Sequence, residues 1–359
     1  MSKLPENMKA LVARGPLEMQ LEMVPVPRAA ESEVVIEVEA CGICSGDAKV
    51  HYAIDKNVWG AEGEPGFVRP PFIPGHEFLG TIVEMGTDVR GGYKLGDRVT
   101  AEQIVPCGEC RFCQTGRYWM CKRHDLFGFR GVTNGAMAEY VKFPKEARIH
   151  KVPKDMPLKK AVLIEPYSCA KHAVDNARIQ NEDIVVMSGV GPLGLGMLGV
   201  IKQKNPKCII ALDLKNERLA LAKKCGADLV LNPATDDMYN EVFRLSDGYG
   251  CDVYIEATGH PASVIQGLNM IRSLGRFVEF SVFGMETSVD WTVIGNGKEL
   301  TIYGAHLSPY CYETVIEWLD KDKLPSEGVV SHVLPLERWK EGFEMVSSGK
   351  NCVKVVLTP

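Results

Sequence analysis

Near its middle the sequence reads Ile184-Val-Val-Met-Ser-Gly189-Val-Gly191-Pro-Leu-Gly194, a short apolar run followed by glycines spaced as G-x-G-x-x-G. The apolar run is typical of a buried strand, and the apolar residues 195–202 that follow predict a helix. At such a junction, glycines permit a tight turn and let a pyrophosphate approach the helix N-terminus. The segment therefore predicts a dinucleotide site, whose candidate contacts are Gly189, Gly191, Pro192, Leu193 and Gly194.

A carboxylate follows the next apolar run of the sequence. Residues 208–212 end at Asp213, 19 residues after Gly194. A carboxylate at this place can accept hydrogen bonds from the adenosine ribose hydroxyls and would repel a 2′-phosphate, which favours NAD over NADP. Lys215 and Arg218 lie just beyond and could receive that phosphate, so Arg218 is a further cofactor-binding candidate. The alternative for Asp213 is a solvated strand end.

The pattern of apolar runs differs between the first third of the chain and the part after residue 183. From residue 183 onward, short apolar runs alternate with helical patterns such as 217–225 and 261–273, and this alternation predicts a doubly wound parallel sheet. The first third instead shows short strands punctuated by glycines, which predicts a β-rich, barrel-like domain. The overall class is α/β. The predicted strands are 10–13, 34–39, 79–84, 97–101, 138–143, 184–187, 208–212, 229–231, 253–256 and 277–281, and a helix at 336–348 and a strand at 352–357 end the chain.

Four closely spaced cysteines form a second motif, Cys107, Cys110, Cys113 and Cys121. Three thiols at three-residue intervals and a fourth eight residues later can close a tetrahedral four-sulfur site, which Zn²⁺ favours. Such a site has no open coordination position, so we predict a structural zinc. An iron–sulfur cluster uses similar spacing and remains an alternative.

Composition limits the partners. The 359 residues are 45 % hydrophobic and 24 % charged, with a net charge of −5, so no basic surface predicts a nucleic-acid partner. The stretch 184–201 resembles a membrane span but contains five glycines and Pro192, and the strand, loop and helix described above explain it better. No signal peptide is evident, and twelve cysteines then indicate a reducing compartment, so we predict a cytoplasmic protein without a membrane partner.

Three further segments carry candidate metal or acid–base residues: Cys41-Gly-Ile-Cys44-Ser-Gly-Asp47, Gly75-His76-Glu77 and Glu165-Pro-Tyr-Ser-Cys-Ala. Each has a structural alternative when taken singly. Cys44 could be a small buried apolar residue, His76 a hydrogen-bonded core histidine, and the glutamates solvated.

Taken together, these segments, the cysteine motif and the G-V-G-P-L-G loop resemble the zinc-dependent medium-chain dehydrogenases over nearly the whole chain. The glutamate at 165 is similar to the polyol branch, which includes sorbitol, erythritol and threitol dehydrogenases. The resemblance implies a GroES-like β-barrel catalytic domain at 1–164 and 310–359, with a zinc lobe at about 105–123. It also implies a Rossmann NAD-binding domain at 165–309 and an active site in the cleft between the domains.

The resemblance also implies roles for individual residues. Cys44 and His76 would bind a catalytic zinc, one of Glu77 and Glu165 would bind it directly, and the other would hold the zinc-bound water. Asp47 would hydrogen-bond His76 and fix its tautomer. With the structural zinc, this gives two zinc ions per chain.

The sequence departs from the family pattern in three places. Gly46 replaces the Ser or Thr that usually begins a proton relay, so we predict that a glutamate acts through the metal-bound water. Lys49 stands where a histidine is often found, with His51 two residues further. The loop from His51 to Pro74 is longer than in sorbitol dehydrogenases, and residues 304–310 lack their arginine.

These departures favour a polyol shorter than sorbitol. We predict transfer of hydride from a secondary alcohol of an erythritol- or threitol-like polyol to NAD, giving a ketose. A sorbitol, xylitol, L-threonine or other secondary-alcohol dehydrogenase is the alternative, and a non-catalytic relative of the fold is the alternative of another class. The resemblance implies that the sixth strand of the Rossmann sheet pairs with its mate in a second copy, and the alternating segment 299–304 suits such an edge, so we expect a homodimer or homotetramer.

Overall fold

The computed structural model describes residues 4–54, 56–60, 66–131 and 133–359. The predicted long loop falls partly on residues 55 and 61–65, which lie outside the described residues. The strands of the described residues are β1 (Asn7–Gly15), β2 (Glu18–Pro25), β3 (Val34–Gly42), β4 (Glu77–Met85), β5 (Arg98–Ala101), β6 (Ile104–Val105), β7 (Asp125–Leu126), β8 (Tyr140–Phe143), β9 (Ile149–Lys151), β10 (Ile184–Ser188), β11 (Cys208–Leu212), β12 (Leu229–Leu231), β13 (Cys251–Glu256), β14 (Ile271–Glu279), β15 (Thr301–Gly304), β16 (Val330–Pro335) and β17 (Lys354–Thr358).

Helices connect these strands. The α-helices of the described residues are α1 (Ser45–His51), α2 (Lys56–Trp59), α3 (Arg111–Gln114), α4 (Leu158–Ala161), α5 (Ile164–Asn176), α6 (Pro192–Gln203), α7 (Asn216–Lys224), α8 (Met238–Leu245), α9 (Pro261–Met270), α10 (Tyr312–Asp320) and α11 (Trp339–Ser348). Short 3₁₀ turns lie at Tyr118–Met120 and Leu336–Arg338, and a π turn lies at Val293–Gly297.

The chain divides into two units. Unit 1 comprises Met1–Glu165, Tyr312–Asp320 and Val330–Pro359, and unit 2 comprises Pro166–Cys311 and Lys321–Val329. The sequence analysis assigned all of 310–359 to the catalytic domain, whereas Lys321–Val329 belong to unit 2. Long-range contacts attach this segment to unit 2, since Tyr167 Oη donates to the Pro325 oxygen at 2.6 Å.

Unit 2 contains the predicted parallel sheet. Its six strands follow the order β12-β11-β10-β13-β14-β15, and all pairs are parallel. The central strand β10 is buried along its whole length, as its apolar sequence predicts for a sheet covered on both faces. The helix predicted at 261–273 ends at Met270, because Ile271 adopts an extended conformation and pairs with Cys251 of β13.

Unit 1 contains a mostly antiparallel seven-stranded sheet in the order β16-β17-β3-β4-β5-β9, with β8 paired to β3. Strand β17 lies between β16 and β3, so a segment near residue 355 pairs with one near residue 41. The predicted fold class, a GroES-like β-domain with a Rossmann-type parallel sheet, is confirmed. Among the described residues we find no helix with the length and apolar character that crossing a membrane requires.

Candidate active site and metal centres

The four predicted cysteines lie together in one short lobe of unit 1. The Sγ atoms of Cys107, Cys110, Cys113 and Cys121 all lie within 4.8 Å of one another. The Cys110 and Cys113 sulfurs are 3.5 Å apart, and those of Cys107 and Cys113 are 3.9 Å apart. A tetrahedron with Zn–S bonds of about 2.3 Å has an edge of about 3.8 Å, so these spacings fit a four-sulfur zinc site.

Backbone N–H groups surround the lobe sulfurs. Those of Cys107 and Cys110 donate to Cys121 Sγ and Cys107 Sγ, each at 3.3 Å. Backbone donors from Lys122 and Cys113 lower the pKa of Cys110 to about 6, while burial and the neighbouring sulfurs raise that of Cys113 to about 12. Sulfurs this close cannot all ionise alone, so the cluster suits a shared divalent cation.

A buried carboxylate joins the cysteine lobe to the β-sheet of unit 1. Glu102 Oε2 accepts from the Tyr118 hydroxyl at 2.7 Å, and Oε1 accepts from Arg148 Nε at 2.9 Å. His150 Nε2 lies 3.2 Å from the same Oε1. The lobe is thus attached through side chains as well as through the backbone.

The second candidate metal centre collects residues from separate elements of unit 1. Cys44 caps α1, where its Sγ accepts from Gly46 N at 3.4 Å and its own N–H donates to Asp47 Oδ2 at 2.9 Å. His76 and Glu77 arrive at the start of β4 and are 4 % and 2 % exposed. One ligand atom from each of Cys44, His76 and Glu77 lies within 4.8 Å of the others.

Asp47 lies beside His76, as the sequence analysis predicted, but the two side chains are further apart than a hydrogen bond. His76 Nδ1 is 3.6 Å from Asp47 Oδ1, because the other Asp47 oxygen accepts from the backbone of Cys44. Both facing atoms are buried and make no hydrogen bond within the described residues. Burial lowers the pKa of His76, but Asp47, Cys44 and Glu165 outweigh it and raise the pKa to about 10.

Glu77 has a partner that the sequence analysis missed, Lys354 at the start of β17. The Lys354 ammonium donates to Glu77 Oε1 at 2.7 Å and to Oε2 at 2.6 Å. A lysine within an apolar run, Val353-Lys354-Val-Val-Leu, was the signal that could have found it. Glu165, in the first turn of α5, lies outside the 4.8 Å group, but its charge raises the pKa values of His76 and Lys354.

This donor set fits a zinc ion. A thiol, an imidazole and a carboxylate in one buried cluster match the N, S and O ligands of zinc. The charges of Asp47, Cys44 and Glu165 raise the pKa of His76, and Glu77 pairs with Lys354, so the cluster is rich in acidic groups. A divalent cation at Cys44 and His76 would supply the missing positive charge.

The loop after α1 packs towards His76. The Phe67 ring lies 5.5 Å from the Phe129 ring, and Phe129 stacks on His76 with centroids 5.3 Å apart. Trp59 Nε1 donates to the Val50 oxygen at 2.8 Å. His51 does not replace a relay histidine, because its ring packs against those of Trp339 and Phe343 on α11.

The glycine-rich segment forms the junction between β10 and α6 in unit 2. Gly189 has a φ of +93°, and a Cβ at Gly194 would lie 2.0 Å from the Gly189 oxygen, so neither residue tolerates a side chain. Pro192 is the first residue of α6, with Leu193 next to it, and Gly191 precedes the helix. The predicted pyrophosphate site therefore falls at the N-terminus of α6, where backbone N–H groups lack partners within the helix.

Asp213 reaches back to this loop. Its Oδ2 accepts from Val190 N at 3.0 Å and its Oδ1 from Lys215 N at 2.9 Å. Arg218 Nη1 is 3.9 Å from Oδ2, and Arg218 Nε is buried without a hydrogen-bond partner in the described residues. Asp213 therefore stabilises the loop from Gly189 to Gly194 through its bond to Val190, and its contact with ribose stays a prediction.

Comparison with known families matches both parts of the chain. Residues 30–154 match the alcohol dehydrogenase GroES-like domain, and residues 192–321 match the zinc-binding dehydrogenase domain. The chain is 48 % identical to an erythritol/L-threitol dehydrogenase of Mycolicibacterium smegmatis, over 100 % of this chain and 99 % of the relative. It is 34 % identical to an L-threonine 3-dehydrogenase of Pyrococcus furiosus, over 96 % of this chain and 97 % of that protein.

Solved structures show the same architecture. An Escherichia coli alcohol dehydrogenase in complex with NADH superposes with a TM-score of 0.87 at 27 % identity, covering 99 % of this chain and 100 % of that one. The full-length similarity, the two metal clusters and the dinucleotide loop agree with one another. The chain belongs to the zinc-dependent medium-chain alcohol dehydrogenases, in the polyol dehydrogenase branch, and is an oxidoreductase that uses zinc and NAD.

Proposed function

We propose that this dehydrogenase oxidises a secondary alcohol of a four- or five-carbon polyol, such as erythritol or threitol, to a ketose and transfers the hydride to NAD. The observation that carries the substrate class is the 48 % identity over the whole chain to an erythritol/L-threitol dehydrogenase. The departures of this sequence from the sorbitol pattern support the same choice.

The proposed chemistry needs an alcohol that loses its proton before its hydride. Zinc bound at Cys44 and His76 would act as a Lewis acid and lower the pKa of the alcohol oxygen. Gly46 has no hydroxyl with which to relay the proton. The buried carboxylates of Glu77 and Glu165 remain as the groups that can accept it, and both oxygens of Glu77 already accept hydrogen bonds from Lys354.

The aromatic packing described above supports a small substrate. Phe67 anchors its loop on Phe129, and Phe129 covers one face of the His76 ring. The loop is therefore connected to the metal centre through two ring contacts. Aromatic side chains this close to the candidate metal centre support the proposal of a short polyol over a hexitol.

Initial rates with NAD on erythritol, both threitols, xylitol, ribitol, sorbitol and L-threonine test the proposal. We expect the highest kcat/KM on a four- or five-carbon polyol, with a ketose as product. Preference for sorbitol or L-threonine would overturn the substrate class and leave the zinc and NAD chemistry standing. L-Threonine is the second candidate, because the Pyrococcus furiosus relative acts on it.

We also propose a dimer formed through β15. This strand is the last of the parallel sheet, and Thr301, Ile302 and Gly304 are exposed. An exposed apolar strand edge is an aggregation hazard unless a second copy pairs with it. Sedimentation of the wild-type protein beside Ile302→Lys tests this, with the dimer or a tetramer built from it expected only for the wild type.

A cytoplasmic location completes the proposal. All twelve cysteines are unpaired thiols, and eight of them lie outside the four-sulfur lobe. Thiols that must bind zinc require a reducing compartment. Fractionation of cells that express the tagged full chain checks the location.

A further inference from the structure

Unit 1 contains a cavity that the proposed reaction does not use. Its volume is about 560 Å³, which is within the range of small-molecule sites. Three elements that all belong to unit 1 line it, namely the hairpin of β1 and β2, the end of α1 and the first two turns of α11. Both apolar and charged side chains face this space.

Helix α1 separates the cavity from the candidate metal centre. The helix begins directly after Cys44 and ends at His51, which lines the cavity. At about 1.5 Å per residue, its seven residues span about 10 Å. Among the described residues, those that line the cavity and those grouped at the metal centre are different sets. The cavity is therefore a place of its own.

His51 brings to this cavity a buried polar atom without a partner. The residue is 7 % exposed, and its Nδ1 makes no hydrogen bond within the described residues. Burial and then the Lys340 ammonium lower the pKa of His51, so the ring is neutral at neutral pH. A buried polar atom of this kind requires a partner that its protein neighbours do not supply.

Apolar side chains form much of the cavity wall. The Trp339 ring is 4 % exposed and packs edge-to-face on the His51 ring, with centroids 5.4 Å apart. Leu17 and Met19 contribute from the hairpin, and Leu17 remains 65 % exposed. Leu17 N donates to the His51 oxygen at 2.8 Å, which fixes the hairpin turn to α1. An apolar ligand group would cover this wall and gain free energy from its burial.

Two opposite charges line the same cavity from α11. Lys340 and Glu344 are four residues apart, so they share one face of the helix, with Cβ atoms about 5–6 Å apart. Lys340 acts on the pKa of His51, and burial and then Glu344 raise the pKa of Tyr52, so both charges lie near side chains of the cavity. The Lys340 ammonium lies 5.6 Å from the centroid of the Trp339 ring, and in the described part of the chain neither charge forms an ion pair.

The two charges indicate the chemistry of a ligand. A carboxylate would pair with Lys340 and an ammonium group with Glu344, and an α-amino acid carries these two groups side by side. Glu344 would repel a purely anionic ligand, and Lys340 would repel a purely cationic one. The apolar wall suits an apolar side chain on the same ligand.

We propose that this cavity is a second small-molecule site, which binds a free α-amino acid with an apolar side chain. Lys340 binds its carboxylate, Glu344 binds its ammonium group, and His51 supplies a further hydrogen bond. The site goes beyond the proposed function, because no step of the polyol oxidation uses these three residues.

L-Phenylalanine is the probe for the test, with the full-length, zinc-loaded protein, titration calorimetry and saturation-transfer NMR. We expect a Kd of about 1 mM or below. Two analogues each lack one charge: 3-phenylpropanoate has no ammonium group, and 2-phenylethylamine has no carboxylate. Each should bind at least about fivefold more weakly than L-phenylalanine. Equal binding of either analogue would overturn the assignment of an amino acid.

Lys340→Met and Glu344→Gln test the site itself. Both residues are exposed on α11, so we expect both variants to fold. Each should weaken the binding of L-phenylalanine at least about fivefold, because each removes one charge-assisted hydrogen bond. Lys350→Met, at an exposed lysine just beyond the end of α11, is the matched control and should bind as the wild type does.

Cys44→Ala distinguishes the cavity from the active site, where an amino acid could bind a zinc ion through its own ligand atoms. This variant should bind L-phenylalanine as the wild type does. Three results would overturn the inference: no binding at about 10 mM L-phenylalanine, unchanged binding in both Lys340→Met and Glu344→Gln, or loss of binding in Cys44→Ala. The proposed polyol oxidation would stand in each case, since initial rates test it separately.

Discussion

The two candidate metal centres of unit 1 are built in opposite ways. The four-cysteine lobe takes all of its sulfurs from residues 107–121, and several backbone N–H groups of the same segment point at them. The centre at Cys44 takes its groups from α1, β4, α5 and β17, and even the directly bonded pair of Glu77 and Lys354 is separated by 277 residues. One centre is a local structure, and the other is assembled only by the fold.

This difference indicates what each centre contributes. A local, closed four-sulfur site contributes folding free energy directly, since its ligands meet as soon as the metal binds. An assembled, buried site depends on the packing of the β-sheet. With fewer than four protein ligands, such a site would leave a coordination position of its metal open to substrate. The variants below separate the two contributions, in order of decreasing expected effect.

Cys44→Ala should have the largest effect, and on activity alone. We expect kcat to fall at least about 100-fold, because zinc supplies several kcal/mol of transition-state stabilisation, while the zinc content falls from about two to about one per chain. Initial rates with NAD and erythritol, metal analysis and the melting temperature check this. Cys41→Ala, at a buried cysteine three residues earlier, is the matched control and should keep both zinc ions.

Cys110→Ser should act on stability instead. We expect one zinc to be lost and the melting temperature to fall, with unfolding easier by about 2–5 kcal/mol. The kcat per remaining catalytic zinc should stay within about threefold of the wild type. Cys208→Ser in unit 2 is the control. An unchanged zinc content in Cys110→Ser would show that the lobe binds no zinc.

Asp213→Ser tests the cofactor loop, which is less local than the cysteine lobe and more local than the centre at Cys44. Asp213 and Val190, the loop residue that it binds, are 23 residues apart. Loss of the ribose contact and of the bond to Val190 should raise the KM for NAD about tenfold and improve the relative use of NADP. Steady-state kinetics with both cofactors measure the change. If the wild-type protein preferred NADP, Asp213 would not determine the cofactor preference, and Arg218 would be the residue that binds the 2′-phosphate.

Tyr118→Phe should have the smallest effect. It removes the hydroxyl that donates to Glu102 from the lobe, and one such hydrogen bond contributes about 1 kcal/mol. The melting temperature should fall by about 2–4 °C, with two zinc ions retained. Loss of the lobe zinc in this variant would mean that the lobe depends on the β-sheet and is not an independent local structure.

The same contrast explains what the sequence could predict. The cysteine lobe, the loop from Gly189 to Gly194 and the apolar strands of unit 2 are contiguous patterns, and local geometry determines their structures. The apolar run around Lys354 could have marked a buried lysine, but its pairing with Glu77 could not be predicted, because the two residues are 277 positions apart and only the folded sheet brings them together. The assignment of Lys321–Val329 to unit 2 depends on contacts such as that between Tyr167 and Pro325, which no local pattern shows.

The return of β16 and β17 to the sheet of unit 1 has a consequence for synthesis on the ribosome. Unit 1 begins before unit 2 in the chain and also ends after it, so unit 2 emerges with most of its contacts available while unit 1 still lacks two strands. Until β17 emerges, the Cys41–Gly42 end of β3 lacks one of its two partner strands, and Glu77 lacks the Lys354 ammonium. Nascent chains that pause at this stage expose a strand edge, and they are the species that chaperones must protect from aggregation.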